Sequence, residues 1–195
     1  MARPREFDVE AALERATELF WSRGYEATSV QDLVDATGVN RASLYGTFGD
    51  KAQLFAAVLA RYQRLVDGSV FQALAPPASG AEAVRAWLKL LVESATAPHR
   101  PRGCLMLTNL GNCSTAPEEL RQEVVRGVRA STDALEKALA RDARIAARED
   151  VRALARYFAA EGHGLAVLAR AGVRRAELET AAEIALRALE RNGSR

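Results

Sequence analysis

The chain has 195 residues, 49% of them apolar, a formal net charge of +2 and two cysteines. That is enough for one large domain or two small ones with a substantial core; it excludes a disulfide framework, and its charge balance alone does not mark a nucleic-acid binder. No apolar run approaches the ~18 residues that span a bilayer, and "MARPREFDVEAALERA" lacks the apolar stretch of a secretion signal, so a soluble cytoplasmic protein with free thiols is expected.

Helical periodicity runs through most of the chain and strand alternation is nearly absent, so an all-α fold of about nine helices is expected. The first runs from about Val9 to Gly24, with Ala12, Ala16, Leu19 and Phe20 at helical spacing and Gly24 as a stop. The second opens at "TSVQ", where Thr28 and Gln31 form a capping-box pattern, and stops at Thr37-Gly38. The third starts at Asn40, a good N-cap, and carries Leu44, Tyr45 and Phe48. Asp50 caps a fourth that continues through Leu54, Phe55, Val58, Leu59 and Tyr62 to about Leu65. "LAPPASG" at 74–80 and "TAPHRPRG" at 96–103 are breaks that bracket a fifth helix, about Ala81 to Ala95. The remaining four cover about Cys104 to Cys113, Pro117 to Arg141, Glu149 to Ala171 and Arg175 to Asn192.

The second and third helices, joined across Gly38, read as a helix-turn-helix. Val30, Leu33, Val34, Val39, Leu44 and Phe48 supply a small core against the first helix, which leaves the third with an outward polar face. In such a unit the N-terminal part of the second helix enters the major groove of a DNA duplex. Arg41 and Ser43 then reach base edges, Tyr45, Thr47 and Lys51 reach phosphates, and Thr28 and Ser29 offer a helix N-terminus to another phosphate. The candidate DNA-contacting set is Thr28, Ser29, Asn40, Arg41, Ala42, Ser43, Tyr45, Thr47 and Lys51. The first 52 residues carry nine acidic groups against six basic ones, so binding has to rest on where Arg3, Arg5, Arg41 and Lys51 sit rather than on bulk charge.

"TSVQDLVDATGVNRASLYGTFGDKAQLFAAVL" resembles the N-terminal signature of the TetR family of transcriptional repressors. The resemblance covers about Phe7 to Tyr62. It is carried by Phe20 and Gly24, "ATS" opening the second helix, Gly38-Val39, Leu44-Tyr45, Phe48, Lys51 and Leu54 in order. The chain departs from the pattern at Thr47, where the family often has His, at Asn40, where it often has Ser, and at Gly46, unusual inside a recognition helix.

The resemblance implies a helix-turn-helix domain over 1–52 and a helical ligand-binding and dimerisation domain over 53–195. It implies a homodimer on a near-palindromic double-stranded operator, formed by the last two helices; Phe158, Gly162, Leu165, Leu178, Ile184 and Ala185 are the candidate interface. The same stripes would serve core helices of a monomer. It further implies that the fifth to seventh helices enclose a pocket for a small-molecule effector. Phe71, Trp87, Leu91, Cys104, Leu107, Asn109, Cys113 and Phe158 are its candidate lining, with Met106 beside them, and each also reads as an ordinary core residue. The expected function is a repressor released from DNA by that effector, with the fourth helix transmitting the signal. "PRGCLMLTN" resembles a branch of the family in which cysteines sense electrophiles or oxidants, so Cys104 is an alternative trigger. An enzyme would have to pair Cys104 or Cys113 with His99 or His163, and no acid or oxyanion motif accompanies them. The same four residues match no common zinc spacing. No catalytic residue, cofactor or metal is expected.

Overall fold

The computed structural model describes residues 7–147 and 150–191, and among them the chain is helical with no strand. The helices are α1 (Val9–Arg23), α2 (Val30–Thr37), α3 (Arg41–Phe48), α4 (Lys51–Asp67), α5 (Gly80–Ala95), α6 (Leu105–Leu110), α7 (Glu118–Ala140), α8 (Ala143–Ala146), α9 (Val151–Arg170) and α10 (Arg175–Arg191). A 3-10 turn, Phe71–Leu74, follows α4. That turn and α8 are additions to the expected elements. The sixth helix is shorter than expected, because Gly111 ends it before Cys113. The expected outer ends at Glu149 and Asn192 lie outside the described residues, as do Arg3 and Arg5.

Side-chain caps set the entry of the N-terminal helices. Asp8 accepts from the amides of Glu10 and Ala11, Asn40 from Ser43, and Asp50 from Gln53. Each such cap contributes ~1 kcal/mol. At α2 the cap is Ser29, not Thr28, and its capping-box partner is Asp32, not Gln31. Thr28 is fully buried and donates its hydroxyl to the Gly24 carbonyl.

Two apolar clusters hold the molecule. The first joins α1, α2, α3 and α4 around Phe20, Leu33, Leu44, Leu54 and Phe55, and reaches into α6 and α7 through Leu105, Met106 and Val124. The second centres on Trp87, Leu88, Leu135, Leu139 and Phe158, with α5 packed against α7, α9 and α10. The N-terminal unit is therefore not a free-standing head. Part of its core comes from residues more than 40 positions later in the chain.

Candidate nucleic-acid interface and buried cavity

The α2–α3 unit is locked from within. Gly38 takes φ 69°, a left-handed conformation that glycine adopts without steric cost, and its N–H closes on the Val34 carbonyl. Thr37 donates to the Leu33 carbonyl and accepts from the Val39 amide, and Arg15 of α1 donates to the Thr37 carbonyl at 2.9 Å. Leu33, Val39 and Leu44 are buried beneath the turn. What remains outside is the polar face of α3. Arg41, Ala42 and Gly46 are exposed, and Ser43, Tyr45 and Thr47 are partly so.

Each residue of the candidate DNA-contacting set can now be placed. Arg41 has its guanidinium 5.6 Å from the Tyr45 ring centroid, so the two form one cation–aromatic pair on that face. Asn40 spends its side-chain oxygen on the Ser43 amide. Ser29 stands exposed at the start of α2, tied to Asp32, which also pairs with Arg23 at 2.7 Å. Lys51 is half-buried with Nζ 4.2 Å from the Tyr25 ring centroid. Burial holds its pKa below the usual lysine value, against an opposing pull from Glu26 and Asp32. Thr28 is a correction: its side chain is enclosed and its hydroxyl committed, so it presents nothing to a phosphate.

A seam of hydrogen bonds fastens this unit to the rest of the chain. Asn109 of α6 is fully buried; its Oδ1 accepts from the Tyr25 amide at 2.8 Å, and its Nδ2 donates to the carbonyls of Phe20 and Leu105. Arg170, the last residue of α9, donates to the carbonyls of Trp21 and Ser22 at the C-terminal end of α1. Glu26 accepts from the Ser114 hydroxyl and the Thr115 amide, which hold its carboxyl below the ordinary range.

Above the seam lies a cavity of about 70 Å³ between α4, the 3-10 turn, α5, α6, α7 and α9. Of the residues expected to line a pocket, Phe71, Trp87, Leu91, Cys104 and Leu107 do so, with Met106. Asn109, Cys113 and Phe158 do not. Asn109 belongs to the seam, Cys113 is buried in the N-terminal cluster, and Phe158 is fully enclosed in the second cluster. Sequence reasoning missed Tyr62, Ser131 and His163, which also border the cavity. The Tyr62 hydroxyl donates to Cys104 Sγ at 3.3 Å. Ser131 bonds the Val128 carbonyl and His163 Nε2, each at 3.0 Å. Burial keeps His163 below its usual pKa, and burial with the neighbouring Cys104 drives Tyr62 well above its own. The wall is therefore uncharged at neutral pH. Gly162 makes the close approach of α9 possible, since a Cβ there would collide with the Trp87 ring.

The candidate interface residues divide in an unexpected way. Phe158, Gly162, Leu165, Leu178 and Ala185 are all buried within the protomer, on the inward side of α9 and α10. Only Ile184 of that set is exposed, at 57%. The outward side of the same two helices carries a second stripe: Tyr157, Ala160, Gly164, Val167 and Leu168 on α9, with Ile184 on α10. Large apolar groups left bare on one face in this way are the usual mark of an association surface.

Residues 12–58 match the family described as bacterial regulatory proteins, tetR family. A cysteine mutant of the TetR family transcriptional regulator CifR, solved with 26bp double-strand operator DNA, superposes with a TM-score of 0.85 at 34% identity, covering 95% of this chain and 99% of that one. The chain belongs to the TetR family. Among curated TetR-type relatives, the HTH-type transcriptional repressor ComR of Escherichia coli (strain K12) is 40% identical over 114 residues, 58% of this chain and 53% of that protein. The regulator YezE of Bacillus subtilis (strain 168) is 37% identical over 109 residues, 56% of each. The match thus spans about half the length of these curated relatives. None of the helices described here is long and apolar enough to cross a membrane.

Proposed function

We propose that this protein is a cytoplasmic transcriptional repressor and not an enzyme. It binds a near-palindromic double-stranded operator as a homodimer and is released by a small-molecule effector. In this reading residues 1–52 read the DNA, and residues 53–195 hold the effector and form the dimer. The observation that carries it is the exposed polar face of α3, with Arg41 free on a helix-turn-helix whose every other side is packed. The CifR complex with operator DNA and the repressor description of ComR support it. Arg41→Ala should cost ~1–3 kcal/mol of specific affinity and relax the preference at one base pair per half-site. DNA selected by the protein from a random pool, followed by footprinting, tests this. A pool that yields no enriched sequence, or one bound equally well by Arg41→Ala, removes the assignment.

The route of release differs from a simple displacement of α4. Leu107 and Cys104 touch the cavity, and Asn109, two residues on from Leu107, grips Phe20 and Tyr25 of the DNA-reading unit. Because α6 is only Leu105–Leu110, a shift at one end moves the other. A molecule that fits the cavity better when α6 has moved would favour the DNA-incompetent state.

A second reading rests on the Tyr62–Cys104 hydrogen bond at the cavity wall. A thiolate formed at Cys104 could attack a small electrophile there, and the adduct would crowd the same space. Cys104→Ser should abolish any response to an electrophile such as N-ethylmaleimide and leave a non-covalent effector working, as read by DNA release.

A further inference from the structure

The chemistry of the cavity wall narrows what can occupy it. No Asp, Glu, Lys or Arg contributes to the wall. An ion entering would lose its hydration with no opposite charge to replace it, which costs several kcal/mol at the least. Most polar groups on the wall are already engaged: Tyr62 with Cys104, Ser131 with Val128 and His163, Gln63 with Asp67. Among the described residues, just two buried side-chain polar atoms have no hydrogen-bond partner, the indole nitrogens of Trp21 and Trp87. Trp87 is fully buried and borders this cavity. A buried N–H without an acceptor costs ~1–3 kcal/mol, which a ligand acceptor would recover. Size sets the last limit. At 10–15 Å³ of such space per water, about 70 Å³ admits roughly five waters, close to the displacement of one six-membered ring.

We propose that the cavity takes an uncharged, ring-sized molecule bearing one hydrogen-bond acceptor, and that the Trp87 indole N–H is the group that selects for the acceptor. This rests on the reading of the cavity as the effector site. Trp87 here determines specificity; its ring also forms the floor against Gly162, so the test replaces only the N–H.

The test uses the full chain and four matched probes: cyclohexanone, methylcyclohexane, cyclohexanecarboxylate and cyclohexylammonium. Binding is followed by ligand-observed NMR, and release of selected DNA is followed in parallel by fluorescence anisotropy. Cyclohexanone should bind about tenfold more tightly than methylcyclohexane, the factor for one hydrogen bond of ordinary net strength. The two ions should bind at least about a hundredfold more weakly than cyclohexanone, for want of a counter-charge. Trp87→Phe keeps the ring and should bring cyclohexanone down to the level of methylcyclohexane, which itself should change little. Gly127→Leu, which adds bulk against Met106 at the wall, should abolish binding of both. Ions bound as tightly as cyclohexanone, or a cyclohexanone preference that survives Trp87→Phe, overturns the proposal. So does binding that Gly127→Leu leaves intact in a variant that melts like the parent, because the site would lie elsewhere. If the selectivity is as stated but DNA release never follows, the cavity's chemistry stands and the effector reading falls.

Discussion

Asn109→Leu isolates the seam between α6 and the DNA-reading unit. The substitution roughly conserves shape and removes three hydrogen bonds at a site with no solvent exposure. The largest single loss is at the Tyr25 amide, whose acceptor at 2.8 Å is the Asn109 oxygen. Leaving that buried N–H unpaired costs ~1–3 kcal/mol. The Phe20 carbonyl still accepts from the Gly24 amide, so losing the two donated bonds adds only ~1 kcal/mol together. The total is roughly 2–4 kcal/mol. For a chain of this length each kcal/mol lowers Tm by ~2–4 °C, so the drop should be roughly 4–16 °C. Urea and thermal unfolding at one fixed protein concentration measure it, since association would otherwise shift the midpoint. Amide exchange at Tyr25 reports the same event locally and should lose protection. A change below ~0.5 kcal/mol, with Tyr25 protection intact, would refute the idea that this amide fastens the unit.

Ile184→Glu and Val167→Glu place charges on the outward stripe of α9 and α10, and sedimentation should show folded monomers with sharply weakened DNA binding. Phe158→Ala, in contrast, empties an enclosed core site and should cost ~3–5 kcal/mol of stability without selectively splitting the dimer; a stable monomer from Phe158→Ala, or a dimer from both Glu variants, would reverse the assignment of faces. Glu26 has a lowered carboxyl pKa because Ser114 and Thr115 bond its ionised form. Its contribution is therefore present above the ordinary carboxylate value and lost as pH falls through the lowered one, so Glu26→Gln should flatten that acid limb of the stability curve measured by chemical unfolding.

The helices were legible because period and punctuation coincide: Asp8, Asn40 and Asp50 cap starts, and Gly24 and Gly38 close ends. What failed was the sidedness of features. Thr28 and Ser29 are both plausible caps in the sequence, and only burial of Thr28 under the Gly24 carbonyl separates them. Asn109, a polar residue in an apolar helix, suggested a ligand contact; its partners lie 84 and 89 residues away, beyond any local pattern. On α9 and α10 the strongest apolar stripe is the one the protomer buries for itself. The outward stripe is diluted by Ala160 and Gly164, so its signal is weaker than that of the inward one. The cavity's polar groups went unread because Tyr62, Ser131 and His163 come from three different helices, and nothing in their spacing announces that α4, α7 and α9 converge.

Helix α9 has three obligations along 20 residues. Gly162 and His163 shape the cavity, Tyr157, Val167 and Leu168 form the outer stripe, and Arg170 grips the end of α1. Drift in what the protein senses is therefore channelled away from this helix. A substitution at Gly162 that altered the cavity would also lift α9 from Trp87 and tilt both the stripe and the Arg170 clasp. Leu91 and Leu107 carry no such double duty. Their side chains can be exchanged for others of different bulk while the spacing of two reading heads and the grip on α1 stay as they are. New specificities in this lineage should accumulate on α5 and α6, with α9 held nearly constant as the frame against which they vary.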